Sequence, residues 1–312
     1  MKKIINTIFE LSILAALFLT SCGSASQSIN RRPDVLASTT FLADIARNVA
    51  GSRLTVESLL PIGADPHSYQ PTPQDAAKIT DSKLLIVNGL EYEHFIETLL
   101  ENAGGERMVI TASDGIEARH GEEHAGAAES GSGHEHEAGD PHMWLDPTLV
   151  IHYVENIRDG LIAFDPEGEA VYRSNAEAYI VALKDLDAWI VEQVAQVPPQ
   201  RRLLVTNHEA LGYFAERYGF TITGTVIESF SSGASPSAAQ MSGLIQQIKS
   251  SGAPAIFLDA SDNDALARQI AAETGVNVVT DLHLESLTDG APAATYIDMM
   301  KYNVSLIIEA LR

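Results

Sequence analysis

The chain has 312 residues and a formal charge of −22, with 42 Asp and Glu against 20 Lys and Arg. That balance disfavours nucleic acid or an anionic membrane face as partner and, where ligands are charged, favours cations. A single cysteine excludes disulfides within one chain and metal sites made of thiolates, so any transition-metal site has to be built from His, Asp and Glu.

The chain opens "MKKIINTIFELSILAALFLTSCGSASQS". Lys2 and Lys3 precede an apolar run from Leu11 to Leu19 that is too short to span a bilayer and has the length of a signal peptide, with Glu10 as its one blemish. "LTSC" resembles the bacterial lipobox, so residues 1–21 are expected to be removed, Cys22 to carry lipid, and residues 22–33 to form a flexible tether. About 290 residues then remain, a length that usually divides into two domains.

From residue 34 onward, apolar runs alternate with amphipathic stretches, which predicts an α/β fold with parallel sheets flanked by helices. "DVLAST" leads into a helix from Phe41 to Ala50, and "LTVESLL" into a loop that holds "DPH". A helix from Pro73 to about Thr80, the strand "KLLIVNG", a helix over 91–102 and the strand "RMVITAS" follow. Residues 117–140 are Gly, Ala, Ser, Glu and His without periodicity, and read as a mobile loop. After it, "DPHMWLDP" repeats the Asp-Pro-His tripeptide, and Pro147 can start a helix that runs to about Phe164. In each tripeptide, proline stiffens the lead-in to the imidazole.

In "DPEGEAVYRSNAEAYIVALKDLDAWIVEQVAQVPP", Tyr172, Ala176, Tyr179, Leu183, Leu186, Ile190 and Val194 recur at steps of four and three. This predicts one long helix over 166–195, a rod of roughly 40 Å, between an N-terminal lobe at 34–165 and a C-terminal lobe at 196–312. In the second lobe the strands "RRLLVTN", "TITGTVI", "PAIFLDA" and "VNVVTD" alternate with helices that begin at "EALGYF", residue 237, "NDALAR" and "AATYID".

Ligands of open parallel sheets bind beyond the carboxyl ends of the strands. His67, His142, His208 and Asp281 fall there, two from each lobe, so a cleft between lobes can bring them together. Three imidazoles and one carboxylate suit Zn²⁺. Asp65, Asp140 and Glu209 are placed to orient ring N–H groups, and His283 is an alternative ligand. His94 and His152 fall inside expected helices, as surface or packing residues. His120, His124, His134 and His136, interleaved with glutamates, could capture metal weakly or be a solvated linker.

Taken together, "GADPHSYQPTPQDAAKI", "DPHMWLDP", "TNHEALGYFAERYG" and "TDLHLESLTD…TYIDMMKYN" resemble the metal-binding lipoproteins of ABC transporters, the cluster A-I receptors for zinc and manganese. The resemblance covers nearly the whole chain after the leader. It implies two α/β lobes joined by one long helix, a metal between them, and His67, His142, His208 and Asp281 as its ligands. It also implies a permease and a cytoplasmic ATPase as partners, a monomeric receptor outside the cytoplasm, and no enzymatic activity. Manganese-preferring relatives often carry Glu at the third position, so His208 and the His-rich tract resemble the zinc-uptake branch, with Zn²⁺ expected over Mn²⁺. The alternatives are a manganese receptor of the same family, an exported zinc hydrolase with Asp281 or Glu209 as general base, and a metal-buffering adhesin.

Overall fold

The computed structural model describes residues 34–103, 107–120, 139–232 and 235–312. The expected signal peptide, Cys22 and tether lie outside those residues, as do His124, His134 and His136. No described helix is long and apolar enough to cross a membrane.

The apolar runs of the first lobe become short strands: Val35–Ala37 (β1), Val56–Ser58 (β2), Leu84–Val87 (β3) and Met108–Thr111 (β4). Those of the second become Leu203–Thr206 (β5), Thr221–Thr225 (β6), Ala255–Asp259 (β7) and Asn277–Leu282 (β8). All pairings are parallel, in the orders β2-β1-β3-β4 and β6-β5-β7-β8. Residues such as Leu84, Leu85 and Ile86 are fully buried because helices cover both faces of the sheet. In each sheet the chain passes from its first strand to one neighbour and then crosses to the other side, and such a switch opens a crevice at the carboxyl ends.

Helices begin where side chains can satisfy free N–H groups. Thr39 caps Thr40–Ala50 (α1), and Thr72 and Asp75 form a reciprocal capping box on Pro73–Asp81 (α2). The helix expected over 91–102 starts only at His94 and runs to Ala103 (α3), because Gly89, Leu90 and Glu91 all lie at positive φ. Asp146 caps Pro147–Phe164 (α4). The long helix is Glu169–Val194 (α5), entered through a 3₁₀ turn at Pro166–Gly168. Its buried positions are Tyr172, Ala176, Tyr179, Leu183, Leu186, Ile190 and Val194.

Gly212–Tyr218 (α6) starts later than the sequence suggested, and Gly219 ends it in the left-handed region. Ala238–Ser251 (α7), Ala265–Thr274 (α8) and Tyr296–Leu311 (α9) complete the second lobe, with Ser237 and Thr295 as caps on α7 and α9. Helix α5 packs against α4 and α1 of the first lobe and against α9 of the second. A single hydrophobic cluster therefore runs from Val35 and Phe41 through Leu183 to Tyr296 and Leu311. Smaller clusters fill the outer layers, around Leu36 and Leu85 in one lobe and Val205 and Ile256 in the other.

Candidate metal centre

His67 sits on the loop after β2, where Asp65 makes the turn: its Oδ1 accepts the His67 N–H at 2.9 Å. Its Oδ2 accepts the hydroxyls of Ser68 at 2.8 Å and Ser232 at 2.7 Å, the latter from the second lobe. Asp65 thus holds the backbone of His67, where the sequence suggested the ring. Asp140 does meet a ring: its Oδ1 lies 2.8 Å from His142 Nδ1 and also accepts the His142 N–H at 2.9 Å. With Nδ1 engaged, His142 presents Nε2 inward. His208 follows β5 directly, and its position is set by backbone bonds from Val226 to Thr206 and from Ile227 to Asn207 at the end of β6. Glu209 is half-buried beside it, its N–H bonded to Ser229 O.

The structure brings His67, His142 and His208 together, and the carboxylate that meets them is Glu285. Asp281 does not join the cluster: it lies at the end of β8 with its side chain exposed. His283 is also apart, half-buried beside the Tyr302 ring, its backbone N–H and C=O both bonded to the Asn303 side chain. The reason is the path taken after the strand. The register of β8 on β7 slips at its end, where Ala260 N–H donates to Leu282 O. Asp259 at the end of β7 accepts the Leu284 N–H, while Trp144 Nε1, two residues beyond His142, donates to Leu284 O at 2.7 Å. Thr40 accepts the Leu287 N–H, and Ser286 accepts the Gly63 N–H, both at 2.8 Å. The segment is thus folded inward against the first lobe, and Glu285 points where Asp281 was expected. The pattern Asp281, His283, Glu285 on alternate residues was the available signal, hidden because the apolar run ends at Leu282.

Glu285 Oε1 lies 3.3, 3.7 and 2.9 Å from Nε2 of His67, His142 and His208. Donors about 3.4 Å apart are what a tetrahedron with bonds of about 2.1 Å requires. All four side chains are at most 3% exposed, yet among the described residues these three nitrogens and both Glu285 oxygens make no hydrogen bond of good geometry. Buried polar atoms left so are costly, and a cation at their centre would satisfy all of them together.

The electrostatics agree. Burial pushes the Glu285 carboxyl up, but the surrounding imidazoles outweigh it and hold the group well below the usual carboxylate range. Burial also opposes charge on His142, yet Asp140 and then Glu285 raise the imidazole to about 9. The cavity can therefore hold positive charge without paying its full desolvation cost.

The ends of the His-rich tract are ordered. Asp140 N–H donates to Arg119 O at 2.7 Å, and Arg119 joins Asp140 at 3.3 Å and Glu216 of α6 at 2.8 Å. Tyr213 of α6 donates to Asp140 O at 2.8 Å. Residues 117–120 and 139–140 are thus fastened to the second lobe beside the metal cluster, with His120 exposed and outside it. His94 and His152 are exposed on helices.

Residues 35–310 match the protein family described as zinc-uptake complex component A, periplasmic (ZnuA). The chain is 33% identical over 315 residues to the manganese-binding lipoprotein MntA of Halalkalibacterium halodurans, covering 100% of this chain and 99% of that protein. It is 28% identical over 321 residues to the manganese ABC transporter substrate-binding lipoprotein PsaA of Streptococcus pneumoniae, covering 100% and 99%. Among solved structures, the manganese-bound periplasmic metal-binding protein of Candidatus Liberibacter asiaticus matches with a TM-score of 0.75 and 30% identity over 89% of this chain and 99% of that one. The periplasmic zinc-binding protein TroA of Treponema pallidum matches with a TM-score of 0.78 and 27% identity over 90% and 99%.

Proposed function

The chain belongs to the zinc-uptake complex component A family, the metal-binding proteins of ABC transporters, and we propose that it captures manganese outside the cytoplasm and hands it to a membrane permease. Proteins of this family bind cargo for transport and are not enzymes, which removes the hydrolase reading. The observation that carries the proposal is the convergence of three Nε2 atoms and the Glu285 carboxylate in a buried cleft between lobes, with neither oxygen in a hydrogen bond of good geometry among the described residues. Both oxygens are free to ligate, which gives five donors. Manganese takes more, and harder, ligands than the four that satisfy zinc. Relatives that align over the full length are named for manganese, which supports the same ion.

Zinc is the second reading. Three imidazoles favour it, and at equal geometry it binds more tightly than manganese. The family's description and the similarity to TroA point the same way. Lipidation of Cys22 would keep the receptor at the membrane that holds its permease.

Competition titration of the purified protein with each metal, paired with the metal content of cells lacking the gene, tests the choice. Stoichiometric manganese binding and a loss of cellular manganese support the proposal. A cellular deficit of zinc alone moves the cargo to zinc. Binding of neither ion refutes a metal receptor.

A further inference from the structure

Between β3 and α3 the backbone does something that leucine and glutamate side chains resist. Gly89, Leu90 and Glu91 lie at φ of 96°, 55° and 57°. Two consecutive non-glycine residues in the left-handed region persist only where the surroundings over-determine them. Here Glu93 does so: its Oε1 accepts the Asn88 N–H and the Ser38 hydroxyl, both at 2.6 Å, and its Oε2 accepts the Gly89 N–H at 3.2 Å. Asn88 in turn donates to Pro141 O at 3.0 Å, the residue before His142, and accepts from Tyr153 at 2.6 Å. This turn places the side chain of Tyr92 against the metal cluster.

Tyr92 is 1% exposed. Its ring meets His67 edge-on at 5.2 Å and lies 6.1 Å from His142 and 4.8 Å from Trp144. Packing alone would be served as well by phenylalanine. The hydroxyl is the difference, and it has no hydrogen-bond partner among the described residues, whereas buried phenols ordinarily find one. Glu285 is the charge that acts on it most strongly. Beside Tyr92 and His67 is a cavity of about 20 Å³, partly open to solvent, that Glu91 and Pro141 of the first lobe and Phe230 of the second also line. A single water needs roughly 10–15 Å³ and at least two polar partners.

We propose that Tyr92 is a specificity-determining residue: its hydroxyl holds one water on the captured ion, which gives the ion an oxygen ligand beyond the three imidazoles and Glu285. The inference rests on the reading of the cluster as a metal centre. A phenol oxygen can accept a hydrogen bond from a metal-bound water as well as donate one, and so can hold the water in place. An extra oxygen ligand serves an ion of high coordination number such as manganese, and adds little for zinc, which four ligands already satisfy.

The test uses the purified wild-type protein and Tyr92→Phe, loaded with manganese or zinc. Electron paramagnetic resonance of the manganese form in oxygen-17 water reports directly bound water by line broadening. Broadening in the wild type that disappears in Tyr92→Phe, with manganese affinity weakened about tenfold and zinc affinity unchanged, is the expected result. Equal weakening of both metals, or no change in either, overturns the role of Tyr92 while leaving the metal centre intact. Absence of broadening in the wild type overturns it as well, and does so even if the variant fails to fold. A wild type that binds neither metal removes the metal-centre reading and this inference with it.

Discussion

His142 and Glu285 carry opposite charge preferences into one buried space, and that sets how the site answers to pH. With its imidazole raised to about 9, metal-free His142 keeps a proton at neutral pH that an incoming ion has to displace. The apparent metal affinity is therefore expected to rise about tenfold per pH unit between pH 7 and 9 and then to flatten, as direct titration would show. The sign for the metal-free protein is opposite. A raised imidazole contributes stability that is complete below its ordinary value of about 6.5 and is lost as pH rises through about 9. Thermal melts with and without metal should accordingly diverge as pH increases. Glu285→Gln removes the carboxylate of the cluster, and is expected to weaken binding about a hundredfold. Asp281→Asn should leave affinity within about twofold, because its side chain is exposed. Equal losses in the two variants would return the fourth ligand to the strand end.

At the scale of elements, the segment after β8 decides where the fourth ligand falls. Its peptide at Leu284 is held from both lobes, by Asp259 through the N–H and by Trp144 through the carbonyl. Asp259 also accepts the Ser261 N–H at 2.8 Å and hydroxyl at 2.6 Å, so an amide in its place would turn a donor towards donors. Asp259→Asn is thus expected to weaken metal binding about tenfold while the secondary structure is retained, a change that titration and circular dichroism together would register. The two Asp-Pro-His tripeptides were readable as stiff turns that aim imidazoles. The turn at Gly89–Glu91 was not, because Leu90 and Glu91 are residue types that resist positive φ; the clamp from Glu93 back to Asn88 and Ser38 is a tertiary device.

Across the whole molecule, α5 is shared by both lobes. Its inward residues join α1, α4 and α9 in one continuous hydrophobic cluster. Lobes with a common core should unfold together, so a single cooperative thermal transition is expected for the metal-free protein. Leu183→Ala, at a fully buried position on that helix, is expected to cost about 2–5 kcal/mol, measured by denaturant unfolding, with the metal stoichiometry unchanged. Such a spine also leaves little room for wide hinge closure. Superimposable small-angle scattering profiles with and without metal are the corresponding expectation, and a clear compaction on loading would contradict it.

The alternation of apolar runs with amphipathic stretches, the periodicity of 166–195 and the two Asp-Pro-His turns were enough to read two α/β lobes, a long joining helix and three imidazoles at strand ends. These features are local: they follow from side-chain spacing along one strand or helix and from what proline does to its neighbours. The identity of the carboxylate was decided elsewhere. Glu285 meets the histidines because Asp259, Trp144 and Thr40 fasten the backbone on either side of it, through bonds that span 25 to 247 residues of sequence. Hydrogen bonds across such distances leave no periodic mark in the sequence, and only the folded chain could place that oxygen beside three nitrogens.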